Sequence, residues 1–268
     1  TPSPSPTASD TPIPTATEFE LNTATAEAEP TEEVATPTPS LTPTSGPTAT
    51  QSAPAGGGSL DYERIIRTEI NADAVHAWDF EAIEDDVISV SVGPAPGLDL
   101  AMELLDPEGT TIAVTNDWSS GQGESIDQVF IEDSGSYTIR VRSVGGSGGE
   151  YSLVLTNEDS EAFLVFKEYL SYGSLGTGAV PELTDHLWNF KASSGDQVSV
   201  RVDPSTSSDL VLFLIAPDST ELLFVDDTAQ GESEQITNFV ISVSGTYSIR
   251  IGELEFQEAA YTVTLNGS

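Results

Sequence analysis

Cysteine is absent from this 268-residue chain, and basic side chains are scarce. Without cysteine there is neither a disulfide framework nor thiol chemistry. Only 8 Lys and Arg side chains stand against 44 Asp and Glu, so the formal net charge is −36. So acidic a chain has no basic stripe with which to neutralise phosphates, which excludes nucleic acid as a partner and disfavours an anionic membrane surface. No apolar run approaches the roughly 18 residues that a membrane helix needs, so we expect no membrane insertion in this segment.

Histidine is also scarce, and the sequence lacks the patterns of common catalytic sites. The two histidines, His76 and His186, occupy equivalent positions at the start of a predicted strand, which favours a structural role. No Gly-x-Ser-x-Gly elbow, phosphate-binding loop or His-Glu-x-x-His motif occurs. Acidic side chains are plentiful enough for a glycosidase, but its two carboxylates have to flank a bond held in a cleft. We therefore expect no enzymatic activity and no catalytic residues.

What the chain does have is an internal repeat with a constant offset of 110 residues. Residues 86–155 and 196–265 align without insertion or deletion. The segment His-Ala-Trp-Asp-Phe at 76–80, for example, corresponds to His-Leu-Trp-Asn-Phe at 186–190. Each unit is long enough to bury a core of its own, so the repeat indicates a duplicated domain and not a solenoid.

The first 59 residues differ sharply from the rest. They hold 11 of the 17 prolines, one aromatic residue (Phe19) and no Lys or Arg. Such a composition cannot bury enough apolar surface to offset the entropy of ordering the chain. This predicts a disordered Thr/Pro-rich linker or stalk over 1–59, which ends in a flexible glycine joint at 55–59. The chain begins at Thr1 and not at Met, so we expect an upstream domain or anchor outside this sequence.

From residue 60 onward, apolar and polar residues alternate with a period of two, as at Ile88, Val90 and Val92. Turn-forming residues separate these runs, so we expect about eight strands per unit. In the first unit they fall at 60–70, 76–81, 86–92, 98–105, 110–115, 125–131, 136–142 and 150–155. This spacing predicts an all-β fold of two tandem jelly-roll-like antiparallel β-sandwiches, at 60–157 and 158–268. The apolar run 163–166 predicts a strand or short helix packed at the junction between them; the alternative is a free linker.

Short motifs recur in the same order in both units. In the first unit they are Trp78-x-Phe80, Asp86, Asp99-Leu100, Asp106-Pro107-x-Gly109, Asn116-Asp117, Ser134-Gly135-x-Tyr137 and Tyr151-x-Leu153. In the second unit they are Trp188-x-Phe190, Gly195-Asp196, Asp209-Leu210, Pro217, Asp226-Asp227, Ser244-Gly245-x-Tyr247 and Tyr261. The pattern resembles the bacterial pre-peptidase C-terminal domain, present in two tandem copies. It departs at Ser219, which replaces a turn glycine, and at Glu84-Asp85, where a glycine is expected.

The resemblance implies a jelly-roll β-sandwich attached to secreted peptidases and other surface proteins of prokaryotes. Such domains are non-catalytic, some bind insoluble polymers, and collagen-binding relatives are stabilised by calcium. We therefore expect an extracellular or cell-surface binding or spacer module that contacts an extracellular polysaccharide or protein polymer. The alternative is a ligand-free structural or processing appendage of a secreted enzyme such as a peptidase.

Acidic residues gather around one predicted hairpin in each unit. The turn at 106–109 predicts a register that sets Asp99 opposite Asn116, with Asp117 beside it. In the second unit the corresponding residues are Asp209, Asp226 and Asp227. Carboxylates that face each other across strands repel, and Ca²⁺, which takes six to eight oxygen ligands, would relieve the repulsion. These six residues are the candidate calcium ligands, with a second set at Asn157, Glu158, Asp159 and Glu161; the alternative is that they cap turns and face water.

The three tryptophans are predicted to play two different roles. Trp78 and Trp188 share their strand faces with phenylalanines two residues later, so both rings should lie in the cores, as should Tyr137 and Tyr247. Trp118 follows Asn-Asp in a loop, and the second unit has threonine at that position. A loop tryptophan found in one unit is the best candidate for ligand binding, by stacking on a glycan or a protein. Partial burial against the rim of the sandwich is the alternative.

Overall fold

The computed structural model describes residues 56–205 and 207–268 and shows an all-β protein, as predicted. Within these residues there are 18 strands and no helix, and therefore no helix with the length and hydropathy needed to cross a membrane. The predicted stalk lies outside the described residues as far as residue 55, and Phe19 lies outside them with it.

The first nine strands build a β-sandwich of two sheets. They are β1 (Gly56–Ser59), β2 (Ile66–Ile70), β3 (Val75–Ala82), β4 (Val87–Pro94), β5 (Asp99–Leu105), β6 (Thr111–Thr115), β7 (Glu124–Phe130), β8 (Gly135–Val144) and β9 (Gly149–Asn157). One sheet has the order β1-β3-β8-β5-β6, and the other has the order β2-β9-β4-β7. Neighbouring strands are antiparallel except for β1, which runs parallel to β3.

The other nine strands repeat this arrangement. They are β10 (Phe163–Leu170), β11 (Ser174–Val180), β12 (Thr184–Ala192), β13 (Gln197–Pro204), β14 (Leu210–Ile215), β15 (Glu221–Val225), β16 (Glu234–Val240), β17 (Gly245–Glu253) and β18 (Ala259–Gly267). The sheet orders are β10-β12-β17-β14-β15 and β11-β18-β13-β16, which match those of the first sandwich strand for strand. Here too the first strand is parallel to its neighbour. The predicted fold, two sandwich-like units of one topology, is confirmed.

Each sandwich has its own core, and the period-two alternation explains which side chains enter it. Ile88, Val90 and Val92 on β4 are fully buried between the two sheets. The aromatic residues predicted for the cores are Trp78, Trp188, Tyr137 and Tyr247, with exposures of 7%, 1%, 2% and 1%. Both tyrosine hydroxyls donate to a backbone carbonyl four residues upstream, so these rings are held at the polar end as well as packed.

The structure corrects the predicted start of the first sandwich. Gly56–Ser59, expected in a flexible joint, is strand β1. Glycine suits the close approach to β3, because a Cβ on the second glycine would lie 1.5 Å from the carbonyl oxygen of Ala77. The strand expected from residue 60 begins only at Ile66. At the junction, the apolar run 163–166 forms the first half of β10, the first of the predicted alternatives.

The two sandwiches pack against each other through one outer face of each. The apolar part of the contact consists of Ile65, Val154, Leu164, Phe166, Leu187 and Ile215. Polar contacts surround it: the Asn189 amide donates to Ser152 Oγ at 3.1 Å. The Arg67 guanidinium donates to the Pro217 carbonyl at 3.1 Å and to Ser248 Oγ at 2.7 Å. The two sandwiches therefore form one compact unit, with a cleft along their boundary.

Candidate binding cleft between the sandwiches

The hairpins that carry the predicted calcium ligands have a different register from the one expected. Between β5 and β6, Met102 lies opposite Thr115, two residues further along than predicted. Two irregularities account for the shift. The turn closes between Asp106 and Thr110 and not between Asp106 and Gly109, whose φ is 80°, and a bulge follows between Leu104 and Leu105. The second sandwich has the same offset between β14 and β15. The prediction that Asp99 lies directly opposite Asn116 is therefore wrong in its register.

A buried glutamate organises the loop after each of these hairpins. Glu124 is 1% exposed and accepts hydrogen bonds from Thr115 Oγ1 at 2.7 Å and from the backbone N–H groups of Asp117 at 3.0 Å and Trp118 at 2.7 Å. Glu234 does the same in the second sandwich, where its donors include the N–H and hydroxyl of Thr228, at 2.9 and 2.5 Å. These glutamates were missed in the sequence, although they too are 110 residues apart. Backbone N–H and hydroxyl donors thus satisfy the carboxyl oxygens of both glutamates.

The six candidate calcium ligands lie near the ends of these hairpins. Asp99 and Asp209 are half-buried, and the exposed ones are Asn116, Asp117, Asp226 and Asp227. Partial burial raises the pKa of Asp209, and so, to a smaller extent, do the charges of Asp226, Glu253, Glu234 and Glu255. Among residues 56–205 and 207–268, no three His, Cys, Asp or Glu side chains are arranged to hold a metal ion. In the second candidate set, Glu161 pairs with Arg250 at 3.1 Å.

A cleft of about 510 Å³ opens where the two sandwiches meet. Strand β7 and the loop before it line one side, and β10 and β11 of the second sandwich line the other. The lining mixes apolar side chains such as Phe163 and Val165 with hydroxyl and amide side chains such as Ser125, Thr177 and Gln122. Its exposed or half-buried charged side chains are Asp127, Lys167 and Glu168. Mixed apolar and hydrogen-bonding linings of this kind are typical of ligand sites.

Trp118 lies at this cleft with 58% of its surface exposed. Its backbone is held by the bond to Glu124, so the ring is presented from a fixed loop. In the second sandwich, Thr228 occupies the same position and makes the same backbone bond to Glu234. The loop therefore forms without an aromatic side chain, and the ring of Trp118 is not needed for its conformation.

A buried tyrosine hydroxyl links histidine and tryptophan in each sandwich. In the second, the Tyr261 hydroxyl accepts from Trp188 Nε1 at 2.8 Å and lies 2.7 Å from His186 Nδ1. The first sandwich repeats the network with Tyr151, Trp78 and His76. Burial, assisted by the charge of Lys167, lowers the pKa of His186 to about 3. The imidazole is thus neutral at pH 7, its Nδ1 accepts a hydrogen bond from the tyrosine hydroxyl, and the histidine is part of a buried hydrogen-bond network.

The second sandwich also matches a known family in sequence. The model of the bacterial pre-peptidase C-terminal domain matches residues 184–253, from the start of β12 to the end of β17. The predicted resemblance is confirmed for the second unit. Pre-peptidase C-terminal domains are non-catalytic appendages of peptidases. The first sandwich has the same strand order as the second, although the family match does not extend to it.

Solved structures similar to this chain include three from bacteria. The pre-peptidase C-terminal domain of collagenase from Bacillus anthracis is 17% identical, with a TM-score of 0.33, and covers 40% of this chain and 100% of its own. PliG from Aeromonas hydrophila, a periplasmic inhibitor of g-type lysozyme, is 12% identical, with a TM-score of 0.31 and coverages of 40% and 98%. A putative secreted protein from Eubacterium rectale is 10% identical, with a TM-score of 0.25 and coverages of 75% and 72%. No curated protein matches the chain significantly.

Proposed function

We propose that this protein is a non-catalytic module of an exported prokaryotic protein and that it binds an extracellular polymer in the cleft between its two sandwiches. The match to the pre-peptidase C-terminal domain supports an extracellular or cell-surface location. The observation that carries the binding role is the exposed ring of Trp118 at the cleft.

Comparison of the two loops supports this assignment of Trp118. Glu124 and Glu234 hold the two loops with equivalent hydrogen bonds, so Trp118 and Thr228 are interchangeable as far as the loop itself is concerned. The large apolar side chain occurs where a neighbouring sandwich supplies a second wall, and threonine occurs where none of the described residues does so. A 58% exposed tryptophan loses contact with water only when something covers it. A bound ligand would supply that cover.

The dimensions and charge of the cleft favour one segment of a long, neutral or basic molecule. The cleft is open at its surface, and about 510 Å³ accommodates a few monomers of a chain whose ends continue into solvent. The net charge of −36 repels polyanions, and the charged lining side chains Asp127, Glu168 and Lys167 give the cleft itself a net negative charge. Both a peptide polymer and a neutral polysaccharide meet these conditions.

The experiment is a pull-down on insoluble polymers with the full chain and Trp118→Ala. Collagen, cellulose, chitin and peptidoglycan are suitable matrices. Loss of one stacked aromatic side chain should weaken retention on the bound matrix about tenfold or more. Phe130→Ala is the matched control, because this phenylalanine is 54% exposed and does not line the cleft.

Two results contradict the binding role. Equal retention of wild type and Trp118→Ala would place the contact elsewhere. No retention on any matrix would favour the ligand-free structural or processing appendage.

We also propose calcium as a stabilising ligand of the second sandwich. The supporting observation is the raised pKa of Asp209, to which the charge of Asp226 contributes. Ca²⁺ bound between Asp209 and Asp226 would relieve this repulsion. Asp227 would have to move towards the ion, because no three carboxylates of the described residues are already arranged around one site, and loop carbonyls and water would complete the coordination. In the first sandwich, where Asn116 replaces one carboxylate, the corresponding site would bind calcium more weakly.

A further inference from the structure

Most sheet edges of the described residues are protected against additional pairing. Strands β7 and β16 carry bulges with positive φ values at Gln128 (50°) and Asn238 (51°), and β1, β2, β6 and β15 have only four or five residues. Strand β10 is bulged after Phe166 and lies against the first sandwich. Short, bulged or covered edges are the usual means by which proteins prevent a further strand from joining a sheet.

Strand β11 has none of these protections. It pairs with β18 in one uninterrupted antiparallel register over all seven of its residues, Ser174–Val180. Its sequence, Ser-Leu-Gly-Thr-Gly-Ala-Val, contains no charge and no proline, and Leu175 is 62% exposed. The opposite edge of β11 pairs with no strand within 56–205 and 207–268. A flat, uncharged and unbulged edge of this length presents a row of backbone groups to a further strand.

Strand β2, the equivalent of β11 in the first sandwich, is protected against additional pairing. Strand β2 is two residues shorter and carries Arg67 and Glu69 where β11 has Thr177 and Ala179. The hydrogen bonds that Arg67 donates to the second sandwich fix its side chain, and the neighbouring Ile65 is 5% exposed within the interface. Strand β11 of the second sandwich has neither these charged side chains nor a sandwich of the described residues packed against it.

The free edge belongs to the cleft described above. Thr177 and Ala179 of β11 line it, together with Phe163 and Val165 of β10 and with Trp118 across the boundary. A strand added to β11 would therefore have a main-chain partner on one side and apolar side chains and a tryptophan ring within reach.

We infer that β11 accepts an extended basic peptide as an additional antiparallel or parallel strand. The inference rests on the binding role proposed for the cleft and names its ligand class. Main-chain pairing selects a peptide, because a glycan has no ladder of N–H and C=O groups to match the edge. The net charge of −36 and the carboxylates of Asp127 and Glu168 in the lining select lysine and arginine side chains on that peptide.

The test uses the ¹⁵N-labelled full chain and a defined probe, the peptide Lys-Lys-Thr-Val-Thr-Val-Thr-Val-Lys-Lys. Binding should shift the amide resonances of Leu175–Ala179 and slow their hydrogen exchange. The same peptide with alternate amides N-methylated keeps its charge and side chains but cannot pair along a strand, so its affinity should fall about tenfold or more. A version with Glu in place of Lys should bind more weakly than the basic probe.

Protein variants complete the test. Thr177→Arg restores the charged side chain that β2 has at this position and should weaken binding of the basic probe about tenfold. Val114→Arg is the matched control, since Val114 is 68% exposed on edge strand β6, away from the cleft, and this variant should bind like the wild type.

Unchanged β11 amides at about 1 mM probe, or equal affinity of the N-methylated peptide, would overturn the inference. Retention on a polysaccharide that depends on Trp118 but leaves β11 unaffected would overturn it while leaving the proposed binding role intact.

Discussion

The same outer face has opposite surroundings in the two sandwiches. On the sheet β2-β9-β4-β7, Val154 is fully buried and Ile65 is 5% exposed, because the second sandwich covers them. On the equivalent sheet, Thr264 is half-buried and Leu175 is 62% exposed, because no sandwich of the described residues covers that face. The strand order is identical, so the difference lies in a few side chains on an otherwise repeated scaffold.

The face that the second sandwich contributes to the contact also differs from its equivalent in the first sandwich. Leu187 on β12 is fully buried against the first sandwich, whereas Ala77 occupies its place on β3 and is only half-buried. Phe166, 2% exposed between the sandwiches, corresponds in register to Gly57. The two sandwiches thus share one strand order, and a small number of surface side chains distinguish the face of each that forms the contact. Four predictions probe this comparison directly, and one concerns the ligands of the hairpins.

The first prediction concerns the core tryptophan that the two sandwiches have in common. Trp188→Ala should lower the free energy of unfolding by about 3–5 kcal/mol, as truncation of a large core side chain does. Trp78→Ala should cost a similar amount, because the two rings make the same bond to a buried tyrosine hydroxyl. Urea unfolding followed by tryptophan fluorescence and circular dichroism measures both. A cost below about 1 kcal/mol at either position would show that its ring is not part of a packed core.

The second prediction concerns the apolar contact between the sandwiches, to which each contributes a different face. Phe166→Ala should cost about 3 kcal/mol and uncouple the sandwiches, so that one unfolding transition becomes two. Phe213→Ala is the control, because Phe213 is also buried on the same sheet but lies outside the apolar contact between the sandwiches. If Phe166→Ala leaves a single transition, the polar contacts alone suffice to hold the two units together.

Calcium offers a third test, because the two hairpins differ by one carboxylate. If calcium binds only the folded protein, a hundredfold excess over Kd adds about 2.7 kcal/mol to its stability. Asp227→Asn should remove most of the rise in Tm, and Asp117→Asn should remove less, since the first site has Asn116 in place of Asp226. Magnesium and sodium at matched ionic strength are the controls. A rise that these ions reproduce would indicate screening of the net charge and no specific site.

The fourth prediction concerns pH. The pKa of His186 is lowered to about 3 in the folded protein. Below about pH 6.5 the histidine of the unfolded chain therefore binds a proton, whereas that of the folded protein does not. The contribution of neutral His186 to the free energy of unfolding is therefore complete above pH 6.5 and is lost as the pH falls towards 3. Between pH 8 and pH 5 the loss from this group is about 2 kcal/mol. His76→Gln should flatten the pH dependence less than His186→Gln, because the pKa of His76 is lowered less. Equal slopes in wild type and His186→Gln would contradict this assignment.

The smallest effect is expected at Ser219, the position where the sequence departs from a turn glycine. Its φ is 73°, a left-handed conformation that favours glycine, and its Oγ donates to the Ile65 carbonyl of the other sandwich at 2.6 Å. Ser219→Gly relieves the backbone strain but removes this bond, so the free energy of unfolding should change by no more than about 1 kcal/mol. Gly109→Ser, at the equivalent turn, gains no such partner and should be destabilising. Thermal unfolding of both variants measures the two changes, and a loss for Ser219→Gly as large as that for Gly109→Ser would contradict this prediction.

Prediction from the sequence was accurate where a rule acts within one strand or one unit. Alternation placed Val90 and Trp188 in the cores, and the constant offset indicated two domains of one topology. It failed where local irregularities add up, because the turn closed by Asp106 and Thr110 and the bulge between Leu104 and Leu105 together shifted the hairpin register by two residues. Glu124 was missed because a buried glutamate has no periodic signature. Its recurrence as Glu234, like that of the His-Trp-Tyr network, was the available signal.

By itself the sequence determined the class of fold, the duplication, the core side chains and the resemblance to the pre-peptidase C-terminal domain, because strand alternation and repetition are properties of consecutive residues. Only the tertiary structure decided that Ser89 and Ser91 are buried, that Trp118 borders a cleft and that β11 is left without a neighbour. These features depend on how one sandwich covers the face of another. That contact joins residues far apart in the chain, and no local pattern encodes which faces will meet.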